Sequence, residues 1–176
     1  MNKNKKRSVL IVDDEQPNVR ILTKILDTGA YDVAVCNSGK ECMAYLQDHQ
    51  PDLILMDVML GDELGTNLLI QIKKIKKLEN TIIILISGIK ITSDDFIFGF
   101  EIGADDYIRR PFKGDELLAR IEAIFRLKNA MGKNRPEAFN ELKHSNTAYT
   151  AEIFEQIGLK KGHLKTFQQL VEQYSE

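Results

Sequence analysis

The sequence lacks any apolar run approaching the roughly 20 residues that a membrane-spanning helix needs. Its basic start, MNKNKKRS, leads only into the short run Val9 to Val12 before acids intervene. The expectation is a chain with neither a transmembrane anchor nor a signal peptide. It also lacks an excess of one charge: 24 Lys and Arg stand against 26 Asp and Glu, a formal net charge of -2. That balance gives no reason to expect a nucleic acid or another polyanion as partner. Cysteine is scarce. Cys36 and Cys42 are the only two, no histidine lies near them, and their spacing fits neither a zinc site nor a redox pair. They read as reduced thiols in or near the core, which suits a cytoplasmic location.

What remains is an ordinary globular composition, 43% hydrophobic and 28% charged over 176 residues. A chain of this size buries roughly 70% of its unfolded surface, so it can hold a core without staples. Four short apolar runs stand out: VLIV (9–12), VAV (33–35), LILM (53–56) and IIILI (82–86). Continuous runs this short predict strands covered on both faces, as in a parallel sheet. A weaker fifth is Asp106-Tyr107-Ile108. Between the runs the apolar spacing turns helical: Val19, Leu22, Ile25 and Leu26; Cys42, Tyr45 and Leu46; Leu68, Leu69, Ile72 and Ile75; Phe96, Phe100 and Ile102; Leu117, Leu118, Ile121, Ile124 and Phe125. Gly29 and Gly103 read as helix stops, and Ser38 as a cap. Strands and helices in alternation predict an open α/β sheet. In such sheets the chemistry sits beyond the carboxyl ends of the strands.

Those ends carry Asp13, Asp14 and Glu15 after the first run, Asp57 after the third, Ser87 and Gly88 after the fourth, and Arg109, Arg110 and Pro111 after the fifth. Side by side, they bring together three carboxylates, a hydroxyl and a guanidinium. Clustered carboxylates repel unless a cation neutralises them. Hard oxygen ligands with few protein contacts suit Mg²⁺, which also takes phosphate oxygens. A carboxylate so placed can attack phosphorus and form an aspartyl-phosphate. Singly, each piece is no more than a cap or a turn; the conjunction at matching strand ends carries the meaning. An aspartate-nucleophile phosphatase would need its nucleophile after the first strand with a second acid two residues later, whereas here the acids after the first strand are adjacent and the lone acid follows the third; a flavodoxin-like redox protein would need a phosphate cradle where DDEQPN stands.

VLIVDDE, PDLILMD, the Ser87-Gly88 pair, and GADDYIRRPF followed by ELLARI occur in this order and spacing. From about Ser8 to about Lys128, some two-thirds of the chain, the sequence resembles the receiver domain of bacterial two-component response regulators. The resemblance implies a doubly wound, flavodoxin-like (βα)5 fold with strand order 2-1-3-4-5. It implies a phosphoacceptor rather than an enzyme: Asp57 would take a phosphoryl group from a histidine kinase or phosphotransfer protein. Asp13, Asp14, Asp57 and the backbone carbonyl of Met59 would hold Mg²⁺. Ser87 would bind a phosphoryl oxygen. Tyr107 would be the aromatic switch, turning inward as Ser87 moves, with the signal read on the face of the fourth helix, fifth strand and fifth helix. That face would also support a homodimer in which Asp105 or Asp106 pairs with Arg120 of a neighbour.

Three positions depart from the family pattern. Arg110 replaces the lysine expected before Pro111; its planar fork is no equivalent of a point charge. Either it still clamps the phosphoryl group, or the domain works as an interaction module independent of phosphate. The Arg110–Pro111 bond is expected to be cis. Leu60 stands where proline is frequent, which is expected to loosen one turn. Met59 and Ile89 are apolar and cannot orient an attacking water, which predicts a slowly hydrolysed phosphoryl group.

Residues 1–7 read as a basic arm, 8–130 as the receiver, and 131–176 as a linker, GKNRP (132–136), with a helical tail. Tail helices are expected over about 137–157 and 163–174. The stretch 153–170 faintly resembles a helix-turn-helix, but Phe154 sits where the crossing wants a small residue, and the tail's charges cancel. QLVEQYSE shows no stop signal, so the tail also reads as the start of a further region. Lone His144 and His163 have no metal partners.

Overall fold

The computed structural model describes residues 6–88 and 99–133, with the side chains of the last helix described through residue 129. The expectations for the N-terminal arm, Ile89 and the tail helices lie outside the described residues. The chain divides into two units, Met1–Ile124 and Phe125–Glu176. The sheet and every site residue named above belong to the first. The division falls inside a helix.

Five strands, β1 (Arg7–Val12), β2 (Tyr31–Cys36), β3 (Leu53–Asp57), β4 (Ile82–Ser87) and β5 (Asp106–Arg109), form one sheet in the order β2-β1-β3-β4-β5, with every neighbouring pair parallel. This is the expected doubly wound topology. The helices are α1 (Gln16–Leu26), α2 (Gly39–Asp48), α3 (Gly65–Lys73) and α5 (Gly114–Lys133). Residues 99–101 are helical and are termed α4.

Side chains alternate across a strand, and both sets are buried here. Leu10, Val12, Ile54, Met56, Ile83, Leu85 and Tyr107 share one cluster with Cys42 and Leu46 of α2 and Leu68, Leu69 and Ile72 of α3. Their alternates Val9, Ile11, Leu53, Leu55, Ile82, Ile84 and Ile108 are equally covered. Each fully buried Leu or Ile contributes about 1.5–3 kcal/mol relative to exposure. Cys36 and Cys42 are free and buried, and burial pushes their thiols up to about 11 and about 12.

Local signals match their expected positions at α2. Ser38 Oγ accepts from the Glu41 N–H at 3.1 Å, and the Glu41 carboxylate accepts in return from Asn37 N–H at 2.7 Å. Helix α3 differs. Its apolar spacing continues to Ile75, yet it ends at Lys73. A 3₁₀ turn, Lys76–Leu78, follows and buries Leu78 in the core instead.

Register fixes the geometry of the strand ends. Val12 pairs with Met56, Asp57 with Ile86, and Ser87 with Arg109. Asp13, Asp57, Ser87 and Arg110 therefore leave the sheet at successive steps along one rim.

Candidate functional site

Asp13 is only 1% exposed, and both of its oxygens are engaged. Oδ1 accepts from Glu15 N–H at 2.9 Å and from the Asn18 amide at 3.2 Å; Oδ2 accepts from Arg110 Nη2 at 2.6 Å. Asp57 is 7% exposed. Its Oδ2 accepts from Met59 N–H at 2.8 Å, and its Oδ1 from Arg110 Nη1. Burial pushes the Asp57 carboxyl above the ordinary carboxylate range, helped by the nearby Asp13 charge and opposed by the Met59 N–H and Arg110. Arg110 is itself positioned by its backbone, whose N–H donates to the Ser87 carbonyl at 2.7 Å; its bond to Pro111 is cis, as expected. Ser87 is buried.

Asp14 is exposed, and its Oδ2 lies 3.0 Å from where a Cβ on Gly61, in the loop after Asp57, would stand. Among the described residues, no three His, Cys, Asp or Glu side chains are gathered as a metal-holding group. The donor chemistry nevertheless fits Mg²⁺: carboxylate oxygens of Asp13, Asp14 and Asp57 and the Met59 carbonyl, all hard ligands on adjoining loops. The positive charge between Asp13 and Asp57 is supplied here by Arg110.

The loop after Asp57 is held at both ends. Gly65 N–H donates to the Val58 carbonyl at 2.9 Å, and Met59 bridges Leu64. Leu60 does not loosen it. Leu60 N–H, which a proline would lack, donates to the Glu63 carbonyl at 3.2 Å, and its side chain is buried in the core cluster. Asp62 caps the start of α2, accepting from Gly39 N–H at 2.9 Å and Lys40 N–H at 3.0 Å, which holds its carboxyl below the usual range. Asn18, Gly61, Asp62 and Gly65 thus support the site, although the sequence reading did not single them out. The one available signal was the Gly61–Gly65 spacing just beyond the acceptor.

Tyr107 is already buried, its ring beside Gly99 and Leu85. The acids and the arginine of the expected dimer face also have partners within one chain. Arg120 bonds Asp106 at 3.3 Å and Glu116 at 3.1 Å, and Lys73 bonds Asp105 at 3.4 Å. A neighbour's arginine would have to displace these partners. Among the described residues, no helix is long and apolar enough to cross a membrane.

Comparison with known proteins agrees with this geometry. The family model described as the response regulator receiver domain matches residues 9–122. A CheY-like receiver domain protein from Methanospirillum hungatei JF-1 is 26% identical, with a TM-score of 0.65 over 71% of this chain and 98% of its own. A Francisella response regulator receiver domain is 30% identical, with a TM-score of 0.62 over 69% and 98%. The phosphorylated cyanobacterial phytochrome response regulator RcpA is 25% identical, with a TM-score of 0.59 over 68% and 91%. With that match over residues 9–122, the sheet order and the buried Asp13–Asp57 pair in place, the chain belongs to the response regulator receiver domain family.

Proposed function

We propose that the protein is a cytoplasmic response regulator that accepts a phosphoryl group on Asp57 from the phosphohistidine of a histidine kinase or phosphotransfer protein. The observation that supports this most is the buried Asp57 carboxylate at the end of β3, sharing one guanidinium with Asp13. The oxygen–phosphorus bond to Asp57 forms as the nitrogen–phosphorus bond of the donor breaks, and the histidine nitrogen takes a proton. Asp13, Asp14, Asp57 and the Met59 carbonyl would hold Mg²⁺, which when bound disperses charge on the phosphoryl oxygens. Ser87 would donate its hydroxyl to a phosphoryl oxygen, and Arg110 would carry opposite charge to another. Tyr107, packed on Leu85 and Gly99, would transmit the change to the α4–β5–α5 face as a shift between two packings. The protein would be a phosphoacceptor and not a turnover enzyme.

Incubation with acetyl phosphate and Mg²⁺, read by intact mass, is expected to add one phosphoryl group to wild type. Asp57→Ala, or wild type in EDTA, is expected to gain nothing. After donor removal the group should outlast seconds, because the exposed Met59 side chain offers no polar atom to an attacking water. An unmodified wild type would favour a phosphate-independent interaction module instead.

A further inference from the structure

Arg110 does more than stand in for a lysine. Glu15 N–H and the Asn18 amide take one oxygen of Asp13, and Met59 N–H takes one oxygen of Asp57. Each carboxylate is left with one oxygen, and both of those face the same guanidinium, Nη2 to Asp13 and Nη1 to Asp57. The side chain is 19% exposed against 1% and 9% for its partners, so solvent screens the triad little. A planar fork can hold two carboxylates at once in fixed geometry, whereas an ammonium is a compact point charge on a flexible stem.

We propose that Arg110 is a positioning residue that acts as a built-in counter-cation, latching Asp13 to Asp57 and competing with Mg²⁺ for the Asp13 oxygen. This rests on the reading of Asp57 as a Mg²⁺-dependent acceptor. For Asp13 Oδ2 to become a metal ligand, the Nη2 arm must leave it, while the Nη1 arm can stay on Asp57. The cost of that release is subtracted from metal affinity. The site is therefore tuned so that Asp13 is latched at low Mg²⁺ and released to the metal at high Mg²⁺, a threshold that a lysine at this position would set lower.

The test is titration of Mg²⁺ alone into the full, unphosphorylated chain by calorimetry, comparing wild type with Arg110→Lys. Arg110→Lys is expected to bind Mg²⁺ about tenfold more tightly, a difference of about 1.4 kcal/mol. Its unfolding midpoint in EDTA is expected to be lower than that of wild type, with the gap narrowing as Mg²⁺ is added. In wild type, nitrogen-15 spectra of the arginine side chains should show one guanidinium whose protons exchange slowly in EDTA and faster at saturating Mg²⁺; this arm needs no variant. Equal or weaker Mg²⁺ binding by a folded Arg110→Lys, or a guanidinium unaffected by Mg²⁺, would overturn the latch while leaving the acceptor reading intact. Failure of both proteins to bind Mg²⁺ at all would overturn the acceptor reading and the latch together.

Discussion

Gly65→Ala is expected to destabilise the protein by about 3 kcal/mol, the upper part of the usual range for forcing atoms into a packed site. A Cβ at this position would lie 2.1 Å from the carbonyl oxygen of Asp57, 3.1 Å from its carbonyl carbon and 3.2 Å from Val58 Cα. All three are backbone atoms of the strand end, so no rotamer change relieves the clash. The first turn of α3 would have to retreat, giving up the Gly65 N–H to Val58 bond and pulling on the loop that carries Met59 N–H to Asp57. The unfolding midpoint should fall by roughly 10 °C for a chain of this length. Gly88→Ala is the control: its added Cβ meets nothing within 4 Å, so it should stay within about 0.5 kcal/mol of wild type. Thermal unfolding of both variants checks the contrast. Equal midpoints would mean that the strand end and α3 are not in the contact described.

Asp13→Asn is expected to slow Mg²⁺-dependent phosphorylation of Asp57 by roughly a hundredfold, about 2.7 kcal/mol of barrier. The fold should survive, because the retained Oδ1 still accepts from Glu15 N–H and the Asn18 amide. The chemistry should not survive. The new amide presents a donor where Oδ2 faced the donor Nη2, so the arm to Arg110 is lost. A charged oxygen ligand for the metal is lost with it. The two variants therefore move Mg²⁺ affinity in opposite directions: Asp13→Asn weakens it, and Arg110→Lys strengthens it. Phosphorylation rates from acetyl phosphate at fixed Mg²⁺, read by intact mass, test the first. A rate unchanged from wild type would remove Asp13 from the metal set.

The sheet could be read from the sequence because β1, β3 and β4 are apolar on both faces and their runs have no competing interpretation. Strand β2 was seen only as residues 33–35, although it spans Tyr31–Cys36. It lies at the edge, where Asp32 and Val35 are exposed, and the continuous apolar signal fails there. The rim residues were legible because parallel register turns a strand's last residue into a position in space. What that position does was less legible. The charge of Arg110 can be read from one letter, but its two-armed contact depends on where Asp13 and Asp57 leave the sheet. The contact between Asp106 and Arg120 within one chain depends on the turn into α5, which the two letters alone do not encode. Gly65 acts through the close approach of its backbone to Asp57 and Val58, and Asp62 through a carboxylate that reaches Gly39 and Lys40, which composition and periodicity do not encode.

Whether Asp57 carries the phosphoryl group can be read by borohydride trapping. Reduction of the acetyl phosphate-treated protein converts an aspartyl-phosphate to homoserine, and peptide sequencing by mass spectrometry locates the changed residue. Homoserine is expected at position 57, with Asp13, Asp14, Asp52 and Asp62 intact. Homoserine at one of those other positions, or nowhere in a chain that has taken up phosphate, would mean that Asp57 is not the acceptor.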